Sequence, residues 1–229
     1  MSIGAGLCCA AAPASTVPSD SNFKAHPEWN QGCVERLAAM QGKPCDMIFI
    51  GDSITHMWTS PGDKVWAHYY GNRRALNFGA GGDKTQNVLW RLENWTVRGF
   101  RPKVAVVLIG TNNIGADSTD DIVAGVKAVT GKAQELFPGV RVILVGLFPR
   151  AEHSGDAGAV NAKLAELADG RRIFFLDAGV GMTPQGDTWK GLGPDRLHLS
   201  EEGYQIWAAA MEPLLSRLLG QEPVAPPAP

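Results

Sequence analysis

Short apolar runs recur along the chain at 47–50, 74–78, 104–109, 141–147 and 173–176, each followed within two residues by Gly, Asp, Asn or Pro. Runs of four to seven residues bounded by turn formers read as buried strands rather than helices. Between them the period changes. Val88, Leu92 and Trp95 follow the second run at helical spacing, and Ile122, Val126, Val129, Ala133 and Leu136 follow the third at offsets of 0, 4, 7, 11 and 14. Ser118 and Asp121 open the latter with a capping-box spacing. A last helix carries Trp207, Ala210, Met211, Leu214 and Leu218 on one face, and Pro213 inside it predicts a kink.

Strands that alternate with helices predict a three-layer α/β/α fold around a five-stranded parallel sheet, because crossovers in such sheets are almost always right-handed. Sites in these sheets lie beyond the carboxyl ends of the strands, where the strand order reverses. Four corners qualify. Gly51-Asp52-Ser53-Ile54-Thr55-His56 follows the first strand, and Asn77-Phe78-Gly79-Ala80-Gly81-Gly82-Asp83-Lys84-Thr85 follows the second. Gly110-Thr111-Asn112-Asn113 follows the third, and Asp195-Arg196-Leu197-His198-Leu199-Ser200 precedes the last helix.

Each corner alone has an ordinary explanation: a serine helix cap, a tight glycine turn, an asparagine turn, a surface histidine. The glycine loop misses the dinucleotide-binding spacing, and no P-loop is present. Together the corners supply what acyl transfer needs, namely a nucleophile, oxyanion donors, a base and its orienter. Acid and imidazole three residues apart can meet side by side, so Asp195 can fix the tautomer of His198 while the other ring nitrogen faces Ser53. The Gly-x-Ser-x-Gly elbow of α/β-hydrolases is absent around Ser53.

The blocks GDSIT at 51–55, NFGAGGDKTQNVLWRLEN at 77–94, GTNN at 110–113 and DRLHLS at 195–200 resemble, in order, those of the SGNH or GDSL-type hydrolase family. The resemblance runs from Trp29 to Leu219 and is strongest to the branch of platelet-activating-factor acetylhydrolase catalytic subunits and bacterial acetylesterases. It implies a flavodoxin-like sheet and a serine esterase for short acyl groups, with no metal or other cofactor. Ser53, Asp195 and His198 match the family's catalytic residues, and Ser53, Gly82 and Asn112 its oxyanion donors. Ile54 stands where the family name has Leu, and His56 follows Thr55 where other members vary. Ile54, Thr111 and Leu197, beside these residues, are expected to wall an acyl pocket sized for acetyl. Trp58 and Trp189 are candidate stacking surfaces for a sugar.

Composition narrows the partners. Twenty-one Lys and Arg stand against 23 Asp and Glu with no basic run, so a nucleic-acid footprint is missing. No apolar stretch reaches the length of a membrane span. The expected partner is a small acylated substrate, an acetylated sugar or lipid, and a homodimer is open. Residues 1–22 read as a leader or disordered segment with signal-like small residues but no positive n-region; 23–219 form the hydrolase domain and 220–229 a flexible Pro-rich tail. Export to a secreted or periplasmic location and a cytoplasmic one both remain open. Of Cys8, Cys9, Cys33 and Cys45, the last two are read as unpaired thiols, with a disulfide as the alternative under export.

Overall fold

The computed structural model describes residues 11–97 and 99–227. Five parallel strands, β1 (Met47–Gly51), β2 (Ala75–Gly79), β3 (Val104–Leu108), β4 (Arg141–Val145) and β5 (Ile173–Leu176), form one sheet in the order β2-β1-β3-β4-β5. That is the doubly wound, flavodoxin-like order, with its reversal between β1 and β3. All residues of β1 and β3 are buried, as expected of strands covered on both faces. A two-stranded antiparallel pair, β6 (Pro184–Gln185) and β7 (Thr188–Trp189), lies outside the sheet.

The helices are α1 (Ser21–Ala25), α2 (Pro27–Met40), α3 (Ser53–His56), α4 (Asp63–Tyr70), α5 (Thr85–Asn94), α6 (Thr119–Leu136), α7 (Ser154–Ala165) and α8 (Glu201–Leu219). The side chain of Ser118 accepts from the Asp121 N–H at the start of α6, as the capping box predicts. Helix α8 is one element that includes Pro213, and it buries Trp207, Met211, Leu215 and Leu218. Ala210 and Leu214, assigned to the same face, are exposed and half-buried respectively.

Trp58 is buried inside an aromatic cluster, 4.5 Å from the Tyr204 ring and 4.9 Å from that of Trp207, centroid to centroid. It is a packing residue, which corrects the expectation of a sugar platform there. Trp189 lines a cavity with Leu147, Asn161, Asp177 and Met182, not the cavity that holds Ser53. Cys33 and Cys45 are separate buried free thiols; Cys45 donates to the Met47 carbonyl at 3.2 Å. Cys8 and Cys9 lie outside the described residues.

Both chain ends make contacts with the body of the domain where they are described. Ser15 is buried, its hydroxyl donates to the Asp121 carbonyl at 2.6 Å, and its carbonyl accepts from Thr85 Oγ1 at 2.8 Å. At the other end the Val224 N–H donates to Glu212 Oε1 at 2.8 Å. Buried Glu212 also takes two 2.6 Å bonds from Arg73, so the tail closes an already paired charge. Residues 1–10, 228 and 229 lie outside the described set. Among the described residues, no helix is long and apolar enough to cross a membrane.

Candidate active site

The carboxyl ends of β1, β2 and β3 bring three of the four corners together. Gly51, the last residue of β1, pairs with Gly79 in β2 and Leu108 in β3. A Cβ at Gly51 would run into Thr55 Oγ1 and the Leu108 carbonyl, so only glycine allows the chain to turn here between its neighbours. Asp52 then caps α3, its Oδ1 accepting from the Ile54 N–H at 3.0 Å, and Ser53 becomes the first residue of that helix.

The fourth corner reaches Ser53 from the loop before α8. Asp195 Oδ1 accepts from the backbone N–H groups of Leu197 at 3.1 Å and His198 at 3.0 Å, which folds the four residues into a compact turn. Its other oxygen lies 2.5 Å from His198 Nδ1, and His198 Nε2 lies 2.8 Å from Ser53 Oγ. A carboxylate at Nδ1 selects the tautomer with the proton there, leaving the Nε2 lone pair for the serine hydroxyl. Burial opposes ionisation of Asp195, but its bonds from the His198 ring and from the His198 and Leu197 N–H groups outweigh it, holding the carboxyl below its usual range.

Gly82 and Asn112 border the same cleft of about 470 Å³ as Ser53 and His198. Gly82 has φ +67°, and a Cβ there would come within 2.6 Å of Trp29 Cζ3, so both backbone conformation and space require glycine. Asn112 sits in a 3-10 turn after β3, and its Nδ2 donates to the Asp83 carbonyl at 2.9 Å. An amide nitrogen has two hydrogens, so one remains for a ligand. Asn113 faces the other way: it is buried, its Oδ1 accepts from the Thr85 N–H at 3.1 Å, and its Nδ2 donates to Asp117 at 2.7 Å.

Of the three expected wall residues, Leu197 borders the cleft. Ile54 and Thr111 are buried instead, and neither lines it; the Thr111 carbonyl accepts from Arg150 at 2.9 Å. Successive residues of a helical turn point in different directions, so neighbours in the chain need not share a cleft. Four residues that the sequence did not single out as site residues also border the cleft: Glu28 and Trp29 from α2, and His56 and Met57 from the α3 turn. Trp29 is 43% exposed and stacks on His26, centroids 3.7 Å apart at 11°. Nothing local in the sequence distinguishes Trp29 from the other six tryptophans.

Behind the cleft lies a buried charge network. Arg91 Nε donates to Asp83 Oδ2 at 2.7 Å, and its two other nitrogens reach the Phe78 carbonyl at 2.9 Å and the Gly51 carbonyl at 3.1 Å. Asp52, one residue before the serine, is fully buried with an unpartnered Oδ2. Burial pushes its carboxyl up to about 7, the Ile54 N–H opposes that, and the Asp83 carboxylate adds to it. Among the described residues no group of three or more His, Cys, Asp and Glu could hold a metal ion.

A model of the GDSL-like lipase/acylhydrolase family matches residues 49–206, which carry all four corners. The human platelet-activating factor acetylhydrolase IB subunit alpha1 is 37% identical over 204 residues, covering 84% of this chain and 87% of its own. A GDSL-like lipase from Bacteroides thetaiotaomicron has the same fold at a TM-score of 0.67 and 20% identity, over 87% of this chain and 99% of its own. An acetylxylan esterase from Geobacillus stearothermophilus shares the fold at a TM-score of 0.58 and 18% identity, over 77% of this chain and 94% of its own. The four corners, in their order and at one sheet edge, lie in a chain that belongs to the GDSL-like lipase/acylhydrolase family, and it is a carboxylic ester hydrolase.

Proposed function

We propose that this chain hydrolyses acetyl esters through Ser53, His198 and Asp195. The observation that carries the reading is the unbroken chain of contacts from Ser53 Oγ to His198 Nε2 at 2.8 Å and from His198 Nδ1 to Asp195 at 2.5 Å. Ser53 Oγ attacks the ester carbonyl while His198 Nε2 takes its proton, and Asp195 offsets the charge of the imidazolium. The tetrahedral oxyanion faces the Ser53 and Gly82 N–H groups and the free hydrogen of Asn112 Nδ2, each such donor contributing about 3 kcal/mol. Collapse expels the alkoxide, which receives the proton from His198. Water, deprotonated by the same nitrogen, then releases acetate from Ser53.

The alcohol side supports a carbohydrate O-acetyl ester. Trp29, Met57 and Leu197 offer apolar surface, Glu28 offers a hydroxyl acceptor, and the described residues bordering the cleft include no Lys or Arg to meet a phosphate. A lipid acetylhydrolase is the second reading, favoured by the human relative's name. It is also favoured by Arg150 and Arg196, which line a separate cavity of about 190 Å³ that shares Leu197 with the cleft. An inactive binding module of the same fold would need none of the Ser53 contacts.

Turnover of an acetylated xylo-oligosaccharide and of an acetylated alkyl-glycerophosphocholine tests both levels. The sugar ester is expected to have the higher kcat/KM, and Ser53→Ala should lower either rate by about 10⁴-fold or more with unchanged circular dichroism. Retained turnover in folded Ser53→Ala refutes the serine mechanism; preference for the lipid leaves the mechanism and replaces the substrate.

A further inference from the structure

The segment that precedes the family-matched residues reaches into the reaction centre from behind. Asn22, on α1, uses one amide group for two bonds: Nδ2 donates to the Gly81 carbonyl at 2.8 Å and to Asp83 Oδ1 at 2.6 Å. The Gly81 carbonyl and the Gly82 N–H belong to one planar trans peptide and point in opposite directions. Holding the carbonyl therefore fixes the aim of the N–H. A glycine pair has no side chain to resist rotation of that peptide, so an external restraint matters more here than elsewhere. Trp29 supplies a second restraint by packing against Gly82.

The other bond of Asn22 leads to the opposite donor. Asp83 receives Asn22 on one carboxylate oxygen and Arg91 on the other, while its backbone carbonyl holds Asn112 Nδ2 at 2.9 Å. Helix α1 is itself tied down. The ring of Phe23 stacks on Trp90 at 5.6 Å, and Asn87 Nδ2 donates to the Ser19 carbonyl at 2.9 Å. The base is reached by none of these bonds.

We infer that Asn22 is a positioning residue of the oxyanion hole, acting through the Gly81–Gly82 peptide and, by way of Asp83, through Asn112. The inference rests on the serine esterase reading above. Asn22 touches no reacting atom; its loss should leave the substrate-binding surface and the Ser53–His198–Asp195 contacts in place while loosening the donors that meet developing charge. Binding of the ground-state ester is then preserved and transition-state binding is not.

The test compares wild type with Asn22→Ala, in kcat and KM for ethyl acetate and in inhibition by 1,1,1-trifluoroacetone, whose serine adduct carries an oxyanion. Complete loss of one donor costs about 10²–10³-fold; a donor that is misaimed rather than removed should cost about tenfold. The expected result is a fall of about tenfold in kcat, an equal weakening of trifluoroacetone inhibition, and KM within about twofold. Asn22→Asp, which turns a donor into an acceptor beside Asp83, should cost more. Asn22→Ser, too short to span both partners, carries the same test if Asn22→Ala fails to fold. Folded variants with unchanged kcat and trifluoroacetone inhibition overturn the inference, as does a rise in KM alone. If wild type is not inhibited by trifluoroacetone and Ser53→Ala keeps its turnover, the serine reading has failed instead, so the two failures are distinguishable.

Discussion

The two sides of the Ser53 hydroxyl are built in opposite ways. On the acid–base side, Asp195 and His198 are three residues apart, the Asp195 side chain is 53% exposed, and the bonds that Asp195 accepts all come from near neighbours. On the oxyanion side, Asp83 and Arg91 side chains are 1% and 2% exposed, and the bonds span 61 residues to Asn22, 29 to Asn112 and 40 to Gly51. The difference matches the tasks proposed for them. A base has to exchange protons with water and a departing alcohol, so access serves it. Oxyanion donors have to keep a fixed direction as charge develops, so burial and cross-linking serve them.

The largest effect is expected from Asp195→Asn. Asn retains an oxygen to accept from the Leu197 and His198 N–H groups, so the turn survives. Its amide, however, presents a hydrogen to His198 Nδ1 and selects the tautomer with the proton on Nε2, which cannot deprotonate Ser53. We expect kcat to fall about 10³–10⁴-fold with native melting behaviour. A loss that tracks a lower melting temperature would mean that Asp195 holds the loop rather than the proton.

A smaller effect is expected at the rim, where Trp29 joins the oxyanion side to the alcohol side. Trp29→Ala should lower the ratio of kcat/KM for an acetylated xylo-oligosaccharide over ethyl acetate by about five- to tenfold, about 1 kcal/mol of ring contact. Equal losses for both esters would make Trp29 a support for Gly82 alone.

The smallest effect concerns the seam between the two sides. Asp52 titrates at about 7 in the folded chain, above the ordinary carboxylate value that it regains on unfolding. Between those two values the folded state holds a proton that the unfolded state does not, so stability falls as pH rises and the penalty is complete above about 7. Asp52→Asn keeps the cap oxygen and removes the charge. Its melting temperature relative to wild type should therefore rise by a few degrees from pH 4.5 to pH 8; a difference independent of pH would show that Asp52 is paired in a way these contacts do not include.

The same contrast decides what the sequence could tell. The sheet was legible because parallel strands covered by helices are continuous apolar runs: 104–109 contains β3, buried throughout, and 173–176 coincides with β5, half-buried at the sheet edge. Asp195 and His198 were legible because their partnership is local. The contacts of Asn22, Trp29, Asp83 and Arg91 around the cleft were not, since they join residues far apart in the chain and no periodicity encodes them. Trp58 shows the converse: an aromatic residue close to the nucleophile in sequence lies in the core because helix packing, not chain proximity, sets its direction.

Both sides are proposed to serve one tetrahedral intermediate on Ser53. A p-nitrophenyl alkylphosphonate mimics that intermediate and stops there, so p-nitrophenol release counts the adduct and peptide mapping locates it. One equivalent released per chain, with the phosphonyl group on Ser53 and the reaction slowed at least about a hundredfold in Asn112→Ala, is the predicted result. A label on any other residue, or labelling of Ser53 at an undiminished rate in folded Asn112→Ala, would contradict it.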